Sequence, residues 1–161
     1  MVARAFKGTF NFVGFYDLRP ELDPRKVYIG EFVSELVFPC GEIELGKGQC
    51  GLCASEERVM IAYDVKKIAN YIACDDDTQS EIVLPCFITE EDTTSNVVGE
   101  GEGDEEEEEF NGDAGGTGGA ARSKATRRRM RTMLDIDSVK VGSFNEEDQR
   151  GLEKIISLIY N

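Results

Sequence analysis

The sequence predicts a mainly β fold, an antiparallel β-barrel closed by a C-terminal amphipathic helix, with a long acidic insertion. Residues 1–89 contain a series of short strand-like segments, and residues 134–161 have the pattern of a last strand and a helix. Residues 90–125 are too acidic and too rich in glycine to form a core. We therefore expect one domain over residues 1–161, interrupted by a disordered insertion at residues 90–125.

The segments before residue 90 combine β-branched and aromatic side chains with turn residues between them. Those with the strongest strand pattern are residues 6–16, 26–38, 58–63 and 81–89. Residues 49–55 have small side chains and indicate a further short strand. Residues 69–73 fit either a strand or a helical turn. The spacing of these segments favours antiparallel strands joined by short connections.

The last part of the chain predicts a weak strand over residues 136–141 and then a helix. Ser143 or Asn145 can cap that helix, and three acidic residues in its first turn suit the positive end of the helix dipole. Apolar residues then recur at helical spacing, namely Leu152, Ile155, Ile156 and Ile159. Because a helix of about 15 residues is only marginally stable alone, we expect this stripe to cover the mouth of the sheet.

The insertion contains a candidate binding site for a basic partner, such as an Sm-like or histone-like protein. Its most acidic part is followed directly by an aromatic residue that can anchor a contact, and the site consists of Glu102, Asp104, Glu105, Glu106, Glu107, Glu108, Glu109 and Phe110. Two alternatives stay open: a solvated tether, and a segment that masks the basic residues following it.

A basic block after the glycine run is a candidate nuclear import signal or phosphate contact, and it consists of Lys124, Arg127, Arg128, Arg129 and Arg131. A solvated linker, or a helical turn packed on the domain, is the alternative. The net charge of −14 argues against an extended nucleic-acid-binding face, so a nucleic-acid contact is at most local.

Five cysteines, an odd number, fit a reducing compartment better than a disulfide framework. Cys50 and Cys53 form a Cys-x-x-Cys motif, which suits either buried small apolar residues or a zinc site. A four-cysteine zinc site needs a second such pair, and the sequence has none. We therefore expect no metal and no cofactor.

No catalytic residue is predicted. The chain has no histidine, and its carboxylates crowd into a segment unable to hold a fixed geometry. No apolar run is long enough for a membrane span or a secretory signal. The expected location is cytoplasmic, nuclear or both, and the oligomeric state stays open.

The layout resembles the pleckstrin-homology (PH-like) superfold, on the basis of residues 58–68 and residues 139–159. The acidic insertion is similar to that of the pICln family of Sm-protein assembly chaperones, and the layout is also similar to PH-like modules of the histone chaperone FACT. The resemblance implies a non-enzymatic protein-binding module, a chaperone or assembly factor for basic nucleic-acid-associated proteins. The alternative is a small regulatory or viral-type accessory protein of another β-rich fold. Such a protein would contact nucleic acid or the import machinery through the arginines of the basic block.

Overall fold

The structure, a computed structural model, describes residues 9–34, 39–91 and 126–160. Within these residues six strands form one sheet, and two α-helices and a short 3-10 turn at Val65–Lys67 complete the fold. The elements are β1 Phe10–Leu18, β2 Lys26–Ser34, β3 Glu42–Glu44, α1 Gly48–Glu56, β4 Met60–Ala62, β5 Ser80–Glu91, β6 Thr126–Ser138 and α2 Glu146–Ile159. No helix in this part of the chain is long and apolar enough to cross a lipid bilayer.

The strands lie side by side in the order β3-β2-β1-β6-β5-β4. The mainly β class, the antiparallel sheet and the C-terminal helix are therefore confirmed, whereas the strands do not close into a full barrel. The two outer strands, β3 and β4, do not pair with each other in the described residues, so the sheet stays open. The last strand enters between β1 and β5, which makes it central in the sheet.

Strand β6 runs from Thr126 to Ser138, so it is longer than the predicted strand over residues 136–141, includes the four arginines of the basic block and ends before residue 139. It pairs with β1 in an antiparallel register that places Leu134 opposite Phe15 and Met133 opposite Tyr16. Successive side chains of a strand point to opposite faces. Met133 accordingly belongs to the core on one face, and Leu134 to the core on the other.

Helix α1 covers the first face of the sheet. The core between them is built mainly from β1, β2, α1 and β6, and its fully buried members include Tyr16, Val27, Cys53, Val83 and Met133. The sequence predicted a strand for residues 49–55, and that prediction is wrong. The small side chains of this segment suit close packing of a helix on the sheet, and such tertiary packing overrides weak local preferences.

Helix α2 covers the second face of the sheet. The sequence predicted this helix and its cap, but only part of the predicted apolar stripe is buried. Its cap is confirmed: the Asn145 side chain accepts from the backbone of residues 147 and 148, and Asp148 accepts from the Asn145 backbone. Ile156 is buried against Ile82, Leu84 and Leu134. The rest of the apolar stripe is not fully covered, since Ile155 and Ile159 are 53% and 59% exposed.

The close approach of α1 to β3 depends on Gly51. Its backbone carbonyl accepts from Gly46 N–H at 2.8 Å, and its own N–H donates to the Lys47 carbonyl at 3.0 Å. A Cβ at this position would collide with the Glu44 backbone carbonyl oxygen. The absence of a side chain therefore determines how near the helix lies to the sheet.

We expect Gly51→Ala to destabilise the protein by about 1–3 kcal/mol, since overpacking forces backbone to move. Gly151→Ala is the matched control, because Gly151 also lies in a helix and a Cβ there meets nothing within 4 Å. Alanine at position 151 should be neutral or stabilising by up to about 1 kcal/mol. Chemical denaturation of both variants measures the difference, and equal unfolding free energies would contradict this account of α1.

Candidate active site

A cavity opens between α1 and the face of the sheet that α1 covers. Its empty volume is about 480 Å³, counted to its open mouth. The lining brings together two phenol groups, two sulfur atoms and four carboxyl groups, from Tyr16, Tyr71, Cys50, Cys74, Asp75, Glu81, Asp135 and Asp137. No other part of the described structure combines so many reactive groups.

A disulfide joins Cys40 to Cys74, with the two Cα atoms 5.3 Å apart. Both residues are half-buried, and Cys74 lines the cavity. The Tyr16 hydroxyl donates to the Cys40 backbone carbonyl at 2.9 Å, which ties this segment to β1. The structure thus pairs two of the cysteines that the sequence placed in a reducing compartment as free thiols.

Three of these carboxyl groups lie on neighbouring strands, and the fourth, that of Asp75, accepts a hydrogen bond from the Asn11 side chain at 2.9 Å. Glu81 is the second residue of β5. On β6, the side chains of Asp135 and Asp137 lie on the same face as Met133. These three residues are only 5%, 5% and 7% exposed, and no lysine or arginine of the described residues forms an ion pair with any of them. The cluster therefore concentrates acidity without a compensating cation.

Burial raises the pKa of Asp135 to about 7, well above that of an ordinary aspartate. Burial also raises the pKa values of Glu81 and Asp137 well above their usual range, and the neighbouring carboxyl groups raise them further. The Tyr71 hydroxyl donates to Glu81, and Thr78 donates to Asp137. At neutral pH the cluster holds protons that it can donate to a bound molecule.

Part of the cluster has no protein partner. The Oδ1 atoms of Asp135, Asp137 and the neighbouring Asn11 are buried and accept no hydrogen bond. Buried polar atoms are nearly always paired, so an unpaired set is a sign of an unfilled site. Asp135 and Asp137 line the cavity, and their unpaired oxygens suit a ligand that carries N–H or O–H donors, or a cation.

The free thiols of the described residues belong to Cys50, Cys53 and Cys86, and all three are buried. The Cys50 thiol donates to Asp135 Oδ2 at 3.2 Å, and burial raises its pKa well above the usual thiol value. Burial also raises the pKa of Cys53, and it raises that of Cys86, which lies on the opposite face, to about 11. None of them is a ready thiolate in this state.

One group of side chains at the cavity can hold a metal ion. It consists of Cys50, Glu81 and Asp135, whose ligand atoms lie within 4.8 Å of one another. Cys53 is not part of this group, so the Cys-x-x-Cys motif does not act as a pair. The carboxyl groups that accompany Cys50 come from strands distant in sequence.

No family model matches the chain. GAF domain-containing protein A of Dictyostelium discoideum is 29% identical over 162 residues, which cover 99% of this chain and 75% of that protein. The free methionine-R-sulfoxide reductase of Escherichia coli is 26% identical over 147 residues, 91% of this chain and 62% of that protein. The yeast protein of the same name, from Saccharomyces cerevisiae, is 36% identical over 88 residues, 55% of this chain and 47% of that protein.

Solved structures share the architecture. A structure described as that of the GAF domain matches with a TM-score of 0.65 at 25% identity, over 98% of this chain and 66% of that one. The fold is that of a GAF domain. A type II free methionine-R-sulfoxide reductase from Thermoplasma acidophilum matches with a TM-score of 0.63 at 26% identity, over 99% of this chain and 82% of that one.

The GAF fold overturns the PH-like resemblance, and with it the chaperone or assembly-factor function. The similarity to reductases in sequence and structure also indicates an enzyme, so the prediction of a non-enzymatic protein is wrong. Both errors have one source. Short strands and a closing helix are common to several small β-rich folds, and the order of the strands in the sheet, which distinguishes them, is not visible in the pattern.

Of the residues predicted as binding sites, four arginines fall within the described residues. The acidic site at residues 102–110 and Lys124 are outside the described residues, and the basic-protein partner stays a prediction. Arg127, Arg128, Arg129 and Arg131 are exposed on β6 and do not line the cavity. The Arg128 guanidinium lies 4.0 Å from the centre of the Phe87 ring, a cation–π contact. Their role in import or phosphate binding is likewise still a prediction.

We expect the buried cluster to make stability depend on pH. Because burial raises the pKa of Asp135 to about 7, its protonated form favours the folded state, and that contribution is lost as pH rises through 7. Between about pH 4 and about pH 7 the folded chain keeps this proton and the unfolded chain does not, so the unfolding free energy of the wild type should fall with rising pH more steeply than that of Asp135→Asn, by roughly 1 kcal/mol per pH unit.

Denaturant titrations over a range of pH values measure this slope. Asp76→Asn is the matched control, because Asp76 is exposed and its replacement changes the net charge by the same amount. Equal slopes for wild type and Asp135→Asn would contradict the placement of this carboxyl group in the core.

Proposed function

We propose that this GAF domain is a free methionine-R-sulfoxide reductase, in which Cys74 attacks the sulfoxide and Cys40 resolves the product. The observation that carries the proposal is the disulfide between Cys40 and Cys74 beside a cavity with buried, protonated carboxyl groups. The relatives that bear this name share the fold and align with most or half of the chain. In a chain expected to be kept reduced, such a disulfide is typical of a catalytic pair.

Cys74 is a better nucleophile than Cys50 for two reasons. It is half-buried at the cavity, whereas Cys50 is fully enclosed and its thiol donates to Asp135. Cys74 also has a resolving partner at bonding distance, since Cys40 is already joined to it. A thiol that is oxidised during turnover needs such a partner to be regenerated.

The chemistry balances with these groups. The Cys74 sulfur attacks the sulfoxide sulfur, the oxygen atom passes to Cys74, and methionine leaves as the thioether, so that Cys74 becomes a sulfenic acid. The Cys40 thiol then attacks the sulfenic sulfur, the S–S bond forms, and water leaves. An external dithiol reduces the disulfide and is itself oxidised.

The carboxyl cluster has two tasks in this scheme. A protonated carboxyl group donates to the sulfoxide oxygen as the S–O bond breaks, and the pKa of about 7 suits Asp135 to that role. The unpaired oxygen of Asp137 accepts from the ammonium group of a free amino acid. That cation favours ionisation of the carboxyl groups it contacts, so one group donates while another accepts.

We expect single-turnover stoichiometry to identify the cysteines. Reduced wild-type protein, freed of reductant, should form about one methionine per chain from free methionine-R-sulfoxide, and many when a dithiol is added. Cys74→Ser should form none, and Cys40→Ser should form methionine and leave a sulfenic acid in place of the disulfide. Amino-acid analysis and mass spectrometry report both.

Cys86→Ser is the matched control, because this cysteine is buried in the core on the opposite face of the sheet. It should keep the wild-type stoichiometry. Methionine formation by Cys74→Ser would refute the assignment. Binding of the free amino acid to wild type without any turnover would instead support a GAF sensor that binds the same ligand.

We also expect discrimination against a blocked amino group. N-acetylation removes the ammonium group, so kcat/KM for N-acetylmethionine-R-sulfoxide should be about 10- to 100-fold lower than for the free amino acid. In Asp137→Asn, kcat/KM should fall more for the free amino acid than for the acetylated one. The ratio of the two kcat/KM values should therefore be smaller than in wild type. Steady-state rates on both substrates test this, and an unchanged ratio would exclude Asp137 as an ammonium contact.

A further inference from the structure

The proposed reduction does not use one of the sulfur atoms at the cavity, that of Cys50. Cys50 is fully buried in α1, is not part of the disulfide, and donates to Asp135. It lies beside two carboxyl groups from separate strands, and the ligand atoms of Cys50, Glu81 and Asp135 are all within 4.8 Å of one another. Three elements of the fold thus bring one thiol and two carboxyl groups to a single point.

We propose that Cys50, Glu81 and Asp135 form a zinc-binding site, a property that goes beyond the reductase activity. The distances fit such an ion. Zinc–sulfur bonds of about 2.3 Å and zinc–oxygen bonds of about 2.1 Å place the two ligand atoms of a tetrahedral site about 3.6 Å apart. The Cys50 sulfur and Asp135 Oδ2 are already 3.2 Å apart, so only a small outward movement admits the ion.

A second observation points to a missing cation. The Oδ1 atoms of Asp135 and Asp137 are buried and have no hydrogen-bond partner, in residues that are 5% and 7% exposed. Asp137 is not one of the three ligands, yet it lines the same cavity. A bound cation stabilises the ionised form of these buried carboxyl groups, and three protein ligands leave a fourth position open to water.

The ligand set selects among cations. A thiolate favours zinc over hard cations, because magnesium and calcium prefer oxygen ligands only. Three protein ligands with an open fourth position are also the usual arrangement of an accessible zinc site. Zinc bound here would engage Asp135, the proton donor of the proposed reduction, so metal binding and that reaction exclude each other.

The test uses the full chain with the Cys40–Cys74 disulfide formed, so that neither of these cysteines can ligate. Zinc is titrated in competition with a chromophoric chelator, and cobalt is used as a spectroscopic substitute. We expect about one zinc per chain, unaffected by excess magnesium or calcium, and a near-ultraviolet absorption band from cobalt bound to thiolate.

The variants make the assignment specific. Cys50→Ser should weaken zinc binding by at least about 100-fold and remove the cobalt–thiolate band. Glu81→Gln should weaken binding while keeping the band, and it provides a second test if Cys50→Ser does not fold. Cys53→Ser is the matched control, because this buried cysteine lies one turn further along α1 and is outside the ligand group. It should bind zinc as wild type does.

Two results would overturn the proposal: a chain that retains no zinc, or wild-type affinity in both Cys50→Ser and Glu81→Gln. The second result would assign the metal to other residues, such as the acidic segment, which both variants keep. The measurement is independent of catalysis, because zinc binding by the oxidised chain does not require it to reduce any sulfoxide. A failure of the proposed reductase activity is therefore distinguishable from a failure of the metal site.

Discussion

The burial of three carboxyl groups, those of Glu81, Asp135 and Asp137, is the constraint on which the rest of the structure depends. Moving unpaired carboxyl groups out of water is costly, and the cost is reduced here by protonation and by donors such as Tyr71. The packing around them must therefore be strong. Strands β5 and β6 supply it, because both lie inside the sheet and carry apolar side chains on the opposite face.

The two layers of helix have different relations to this cluster. Helix α2 packs on the far face through Ile156, and that core fixes the strands that carry the carboxyl groups. Helix α1 covers the cluster itself and contributes the Cys50 thiol. Because Gly51 lets α1 approach the Glu44 carbonyl closely, a single backbone contact determines how near the helix lies to β3. The site thus depends on residues that take no part in its chemistry.

Much of the secondary structure was predictable from the sequence, whereas the site was not. The aromatic spacing of β1, the apolar run of β5 and the cap at Asn145 are local signals, and the structure has these elements where they were expected. Segment 49–55 gave a misleading signal, because its small side chains favour neither state by themselves. The order of strands depends on contacts between distant residues, which no local pattern records.

The sequence pattern around the acidic residues of the cavity fits two different structures. Leu134 and Ile136 alternate with Asp135 and Asp137, and such alternation usually means that the polar side chains face water. Only the position of α1, which the sequence did not reveal, shows that this face is covered. The pairing of Cys40 with Cys74 was equally hidden, since spacing alone does not determine which cysteines meet. The acidic insertion dominated the composition and drew the functional prediction to itself.

The disulfide also links redox state to the entropy of the unfolded chain. Cys40 and Cys74 are 34 residues apart, and the loop that they close contains β3, α1 and β4. In the chain-entropy description, closing a loop of this length restricts the unfolded ensemble by an amount that stabilises the folded state by about 4 kcal/mol. Reduction releases that restriction. The molecule is then least resistant to unfolding and proteolysis when this disulfide is open, which is also the state that the proposed reaction requires at its first step.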